Sequence, residues 1–149
     1  MMKRIIGCGN LLMQDEGIGG HLIEYLKGKT IPAGVELVDG GCGGFDLLGL
    51  IQESREVIIV DAVKAGGSPG DIYKFTPEDY QTDTFPKTSL HDVSLKDIFE
   101  IVKRTGSLPR IIIFGVEPKT IGWGMELTPD VGKVLPRLAE LVIKEVQNA

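Results

Sequence analysis

Val57-Ile58-Ile59-Val60-Asp61 and Ile111-Ile112-Ile113-Phe114 are the two stretches on which the fold turns. Both are short, apolar and mostly β-branched, and neither alternates with polar residues. A strand with one wet face alternates, whereas a strand covered on both faces does not. Two such runs with helical patterns between them predict an α/β fold built on a mainly parallel sheet.

Working outward, Ile5-Ile6 with Cys8 and Val35-Glu36-Leu37-Val38 read as further strands. Between them Ile18, Leu22, Ile23 and Leu26 recur at helical spacing behind Asp15, a good N-cap residue, so a first helix is expected from near Glu16. Phe45 to Ile51 suggests a short second helix. Val93, Ile98, Phe99, Ile101 and Val102 suggest an amphipathic third over roughly 91–104. The last helix has Thr128 as N-cap and Pro129 in its first turn, then Val131, Val134, Leu135, Leu138, Leu141, Val142 and Val146 along one stripe. Pro136 removes a hydrogen bond to the Gly132 carbonyl, which predicts a kink or a short turn followed by a longer helix. Residues 71–75 alternate after the turn signal Ser68-Pro69-Gly70 and predict an antiparallel edge strand. Thr76 to Leu90 is polar, holds Pro77 and Pro86 and has no period, as expected of a functional or mobile loop.

Length and composition set the class. The 149 residues correspond to about one domain of ~150 residues, so 1–149 is expected to be a single domain with a real core. Hydrophobic residues at 42% and charged residues at 25% exclude disordered and collagen-like chains. Sixteen basic against 21 acidic residues give a net charge of −5 without a basic block, which argues against nucleic acid as a partner. No apolar run suits a membrane span, and Met1-Met2-Lys3-Arg4 leads straight into a strand, so a cytoplasmic location is expected. Cys8 and Cys42 are too few for a disulfide framework and lack zinc-site spacing.

Twenty residues are glycine, nearly twice the usual ~7% share, and 15 of them precede residue 71. Tight turns and close backbone approach therefore concentrate in the first half. Ligands of open α/β sheets bind outside the carboxyl ends of the strands. There the first loop, residues 7–19, delivers Asp15 and Glu16, the third strand ends at Asp61, and a later loop delivers His91 and Asp92. Asp61 closes a buried apolar run, where a carboxylate loses hydration at a cost of several kcal/mol unless partners or a cation compensate. Two acids and an imidazole make an oxygen and nitrogen donor set suited to a divalent transition metal or to acid/base work. The other reading of the same residues is a capped helix, a satisfied Asp and a surface His. His21 lies five residues after Glu16, roughly 140° around a helix, and is not expected to join it.

Other chemistries fit less well. A dinucleotide loop needs a third glycine where Leu12 stands, and a phosphate-binding loop needs a Lys that is missing. The G-x-S-x-G run at 66–70 leads into the expected edge strand at 71–75 and not into a helix, so it forms no nucleophile elbow, and Cys8 or Cys42 would have only His91 as base.

The quoted residues resemble a family. G-x-G-N-x-L-x-x-D-E-G-x-G at 7–19, Asp39-Gly40-Gly41, Val60-Asp61-Ala62, Ser89-Leu90-His91-Asp92, Gly115-Val116-Glu117-Pro118 and Leu127-Thr128-Pro129 together look like a nickel-iron hydrogenase maturation endopeptidase. The resemblance runs from residue 5 to about 145. It implies a twisted, mostly parallel five-stranded sheet with helices on both faces. It also implies removal of the C-terminal extension of the hydrogenase large-subunit precursor after nickel insertion. On this resemblance Glu16, Asp61 and His91 are the metal-binding and catalytic positions, and the nickel arrives in the precursor instead of being held as a permanent cofactor. Asp15, Asp39 and Asp92 would orient the metal-facing groups or serve capping and turns. Two other classes share the pattern. One is a nickel-sensing checkpoint or carrier that binds the precursor without cutting it, and the other a small-molecule module on a flavodoxin-like sheet.

Overall fold

The apolar run around Ile59 lies in the middle of a five-stranded sheet because its side chains are buried on both sides. The computed structural model describes residues 2–41, 46–81, 95–106 and 109–148. In chain order the strands are β1 (Met2–Cys8), β2 (Val35–Gly41), β3 (Ser54–Ala62), β4 (Ile72–Phe75) and β5 (Arg110–Val116). The helices are α1 (Ile18–Lys27), α2 (Asp46–Gln52), α3 (Leu95–Thr105), α4 (Pro129–Gly132) and α5 (Leu135–Gln147), with 3-10 turns at Gln14–Gly17 and Pro77–Gln81.

The strand order is β2-β1-β3-β5-β4. β1 pairs in parallel with β2 and β3, β3 in parallel with β5, and β4 runs antiparallel to β5 as the edge, with Ile72 opposite Val116 and Phe75 opposite Ile113. The expected mostly parallel sheet with one antiparallel edge is what forms.

Successive residues of one strand feed two cores. Ile58, Val60 and Ala62 of β3 and Ile112, Phe114 and Val116 of β5 meet α1 and α5 through Leu22, Leu26, Leu138 and Val142. Val57 and Ile59 of β3 and Ile111 and Ile113 of β5 meet α2 and α3 through Leu47, Ile51, Ile98 and Val102. Each isoleucine fully buried this way contributes roughly 1.5–3 kcal/mol. This two-sided burial is why the decisive runs do not alternate.

Two boundaries show local rules at work. Thr128 precedes α4 with extended backbone and Pro129 follows it, as expected. The helix then breaks, and α5 starts with Pro136 in its first turn. The 3-10 turn at 77–81 lies inside the stretch read as aperiodic loop. Residues 82–90 and 91–94, with Val93 and the expected start of the third helix, lie outside the described residues, as does Phe45.

The chain leaves β1 to one side for β2 and crosses back to β3 on the other, so the connections reverse between β1 and β3. A crevice outside their carboxyl ends follows from that topology. α1 reaches this point by backbone contact. A Cβ at Gly19 would stand 2.3 Å from the Cys8 oxygen and 2.5 Å from the Val60 oxygen, a space that only glycine leaves open.

Candidate active site

The rim of that crevice starts at Gly9, just past β1. Its backbone φ is +114°, and its N–H donates to the Gly41 carbonyl at 2.8 Å, tying the end of β1 to the end of β2. A Cβ on Gly9 would lie 1.9 Å from the Glu16 carbonyl oxygen and 3.7 Å from Asp61 Oδ1. One glycine therefore touches both the turn that carries Glu16 and the carboxylate of Asp61. Two of the three residues singled out from the sequence are brought to the same place, from positions 45 residues apart in the chain.

Both are buried. Glu16 is 7% exposed and Asp61 is 2% exposed. Asp61 ends the apolar run of β3 opposite Gly115 of β5, and Oδ1 accepts the Ala62 N–H at 2.8 Å. Glu16 sits in the 3-10 turn, whose geometry is held by its own N–H donating to the Met13 carbonyl at 3.3 Å. His91 and Asp92 lie outside the described residues, and so does Cys42. Among the described residues no group of three His, Cys, Asp or Glu side chains is arranged to hold a metal ion.

The structure corrects the reading of Asp15. α1 begins at Ile18, two residues past Glu16 and directly after the 3-10 turn, but its N-cap is Gly17 and no side chain caps it. Asp15 is 1% exposed and turns away from the helix. Its Oδ2 accepts the N–H groups of Lys119 at 2.9 Å and Thr120 at 3.1 Å and the Thr128 hydroxyl at 2.7 Å, and its Oδ1 accepts the Thr128 N–H at 2.8 Å. Four donors on one ionised carboxylate outweigh the single bond an N-cap would make. Asp15 thus clamps the loop after β5 against the turn that carries Glu16, and the Thr128 hydroxyl is spent on this clamp instead of on capping α4.

Glu117 was not singled out as a functional residue, although it stands after an apolar strand just as Asp61 does. It is 6% exposed, and its Oε1 accepts the N–H groups of Ala65 and Gly67 at 2.9 Å each and the Tyr73 hydroxyl at 2.8 Å. Burial, and then the Glu117 carboxylate, push the Tyr73 phenol up to about 12. Glu117 fixes the loop after β3 as Asp15 fixes the loop after β5. Asp39 is exposed and accepts the Gly41 N–H at 3.1 Å, a turn-forming role. Gly9, Asn10, Leu11, Asp39 and Gly41 line a cavity of about 320 Å³ on the same rim. Cys8 is buried at the strand end. His21 has its Nε2 buried with no hydrogen-bond partner among the described residues.

Residues 20–145 match the family model for hydrogenase maturation protease (HycI). The chain belongs to the hydrogenase maturation protease family. The Hydrogenase 2 maturation protease of Escherichia coli K12 is 31% identical over 148 residues, covering 97% of this chain and 90% of that protein. The coenzyme F420 hydrogenase subunit delta of Methanothermobacter thermautotrophicus is 28% identical over 151 residues, covering 95% and 92%. In structure, the hydrogenase maturating endopeptidase HybD from E. coli superposes with a TM-score of 0.87 at 30% identity, over 99% of this chain and 93% of that one. As a hydrogenase maturation protease the chain is a peptidase. No helix among the described residues is long and apolar enough to cross a membrane.

Proposed function

We propose that this hydrogenase maturation protease removes the C-terminal extension of a nickel-iron hydrogenase large-subunit precursor after nickel insertion, recognising the nickel through Glu16, Asp61 and His91. The whole of residues 1–149 acts as one domain, in the cytoplasm, without a cofactor of its own. The observation that carries this reading is that the backbone turn bearing Glu16 and the carboxylate of Asp61 both come up to Gly9, with Glu16 at 7% and Asp61 at 2% exposure. Acids gathered at one rim attract a cation that the substrate brings there. Oxygen donors with one imidazole match a divalent transition metal.

The nickel comes with the substrate, and its chemistry there is to polarise the scissile carbonyl or the attacking water. Glu16 or Asp61 accepts the proton of that water as its oxygen adds to the carbonyl carbon, and the proton passes to the departing amide nitrogen as the C–N bond breaks. The products are a new C-terminal carboxylate on the large subunit and a free amine on the extension. A precursor lacking nickel offers the two acids no cation to bind and binds poorly.

Incubation of the purified chain with nickel-loaded and nickel-free precursor, followed by mass spectrometry, tests the proposal. The nickel-loaded precursor is expected to lose its extension and the nickel-free one to stay intact. His91→Ala is expected to abolish processing. Binding of the loaded precursor with no loss of mass at all would instead favour the checkpoint.

A further inference from the structure

The described residues expose four large hydrophobic side chains, and three of them share one place: Leu12 at 48%, Trp123 at 83% and Met125 at 67%. They sit on two loops laced together by backbone. The Gly124 N–H donates to the Leu12 carbonyl and the Gln14 N–H donates to the Gly124 carbonyl, each at 2.9 Å, with Met13 bridged to Gly124. The lacing holds Gln14 at a φ of +51°, outside the range most side chains adopt.

The loop that bears Trp123 and Met125 is anchored at both ends. Lys119 and Thr120 are held by Asp15 on one side, Thr128 is held by the same carboxylate on the other, and Leu127 packs into the core. A loose loop would fold its tryptophan onto the protein, because apolar burial is favourable. This one holds Trp123 and Met125 out in water, and exposed apolar patches of this kind mark sites of association. Tryptophan is the residue most enriched at binding hot spots, and methionine adapts to irregular apolar surfaces.

The geometry points to Leu12, Trp123 and Met125 as the docking surface for an apolar segment of the precursor, a reading that rests on the proposed function. What commits the patch to the precursor is continuity. The loop that supplies Leu12 runs within one turn into Glu16, and Asp15 ties the Trp123 loop to that same turn. A polypeptide brought to Glu16 and Asp61 lies over the patch, and the patch then sets affinity while the acids set rate.

Trp123 is the chain's only tryptophan, so 5-fluorotryptophan labelling gives a single ¹⁹F resonance. Saturation with unlabelled nickel-loaded precursor is expected to shift it. Trp123→Ala with Met125→Ala is expected to raise KM for the precursor at least tenfold with kcat held within about twofold. Trp123→Phe should restore most of the affinity, and Met2→Ser, at an exposed apolar residue elsewhere, should change neither constant. Cleavage of the precursor with an unmoved resonance and unchanged KM would overturn the docking surface and leave the proposed function standing. Failure of the wild type to bind or cleave any precursor would overturn both. A resonance that moves with the chain's own concentration would assign the patch to a second copy and overturn the proposal.

Discussion

The two ends of the sheet bury acids in different ways. At the amino end, Glu56 and Glu145 are met by cations: Arg110 reaches Glu56 at 3.0 Å and Glu145 at 2.7 Å, and Lys74 adds a second ion pair to Glu145. At the carboxyl end, Asp15 and Glu117 are met by backbone N–H groups of loops and by hydroxyls, all from residues far along the chain. The ion pairs of Arg110 and Lys74 tie strands to one another and to α5 but pin no loop. A carboxylate that collects three or four backbone and hydroxyl donors fixes the path of the loop that offers them. The amino end is thus built for stability. The carboxyl end is built to hold the loops around Glu16 and Asp61 in one shape.

The largest effect that follows is on rate. Glu16→Gln and Asp61→Asn are expected to lower precursor processing by at least about 10²-fold, the low end of what one acid/base group contributes, with thermal melting near wild type. Full activity in both would erase the distinction between the two ends.

Asp15→Ala comes next. It leaves three N–H groups and a hydroxyl without their acceptor, and unsatisfied buried groups cost roughly 1–3 kcal/mol each. Partial access to water reduces the total to about 3 kcal/mol by urea denaturation. A loss under ~0.5 kcal/mol, the usual size of a neutral surface change, would show that the clamp holds nothing.

At the other end, Glu145→Gln is expected to cost about 1 kcal/mol, since Lys74 and Arg110 are both about half exposed and such pairs are weak. Hydrogen bonding to Lys74, followed by that to Arg110, holds the Glu145 carboxyl below its ordinary range. A lowered carboxylate stabilises the fold above its unfolded pKa and loses that contribution as the pH falls through the folded value. Glu145→Gln should therefore flatten the acid limb of a stability-against-pH curve while processing at neutral pH is unchanged. Tyr73→Phe is the smallest, about 0.5–1 kcal/mol for one hydrogen bond to a carboxylate that keeps two others. The raised phenol pKa favours the fold until the pH climbs through about 12, so this difference should shrink only in strong alkali.

The sheet was legible because burial on two faces writes itself into sequence as unbroken β-branched runs, and the break before α5 because Pro136 cannot continue a helix. Glu16 and Asp61 were legible as acids closing a glycine-rich turn and an apolar strand. Asp15 was misread as a helix cap because its partners stand 104 to 113 residues away and three of its four donors are backbone N–H groups, which leave no mark on side-chain pattern. Glu117 was passed over for the same reason. Trp123 gave no signal because an exposed residue on a loop belongs to no period. His91 falls outside the described residues.

In the proposed function Glu16 and Asp61 face a nickel ion carried by the substrate. Nickel X-ray absorption of the loaded precursor, frozen immediately after mixing with saturating chain, tests it most directly. Added oxygen neighbours are expected at the nickel with the wild type and fewer with Glu16→Gln or Asp61→Asn. A nickel spectrum identical with and without the wild-type chain, in a mixture that goes on to cleave the precursor, would contradict it.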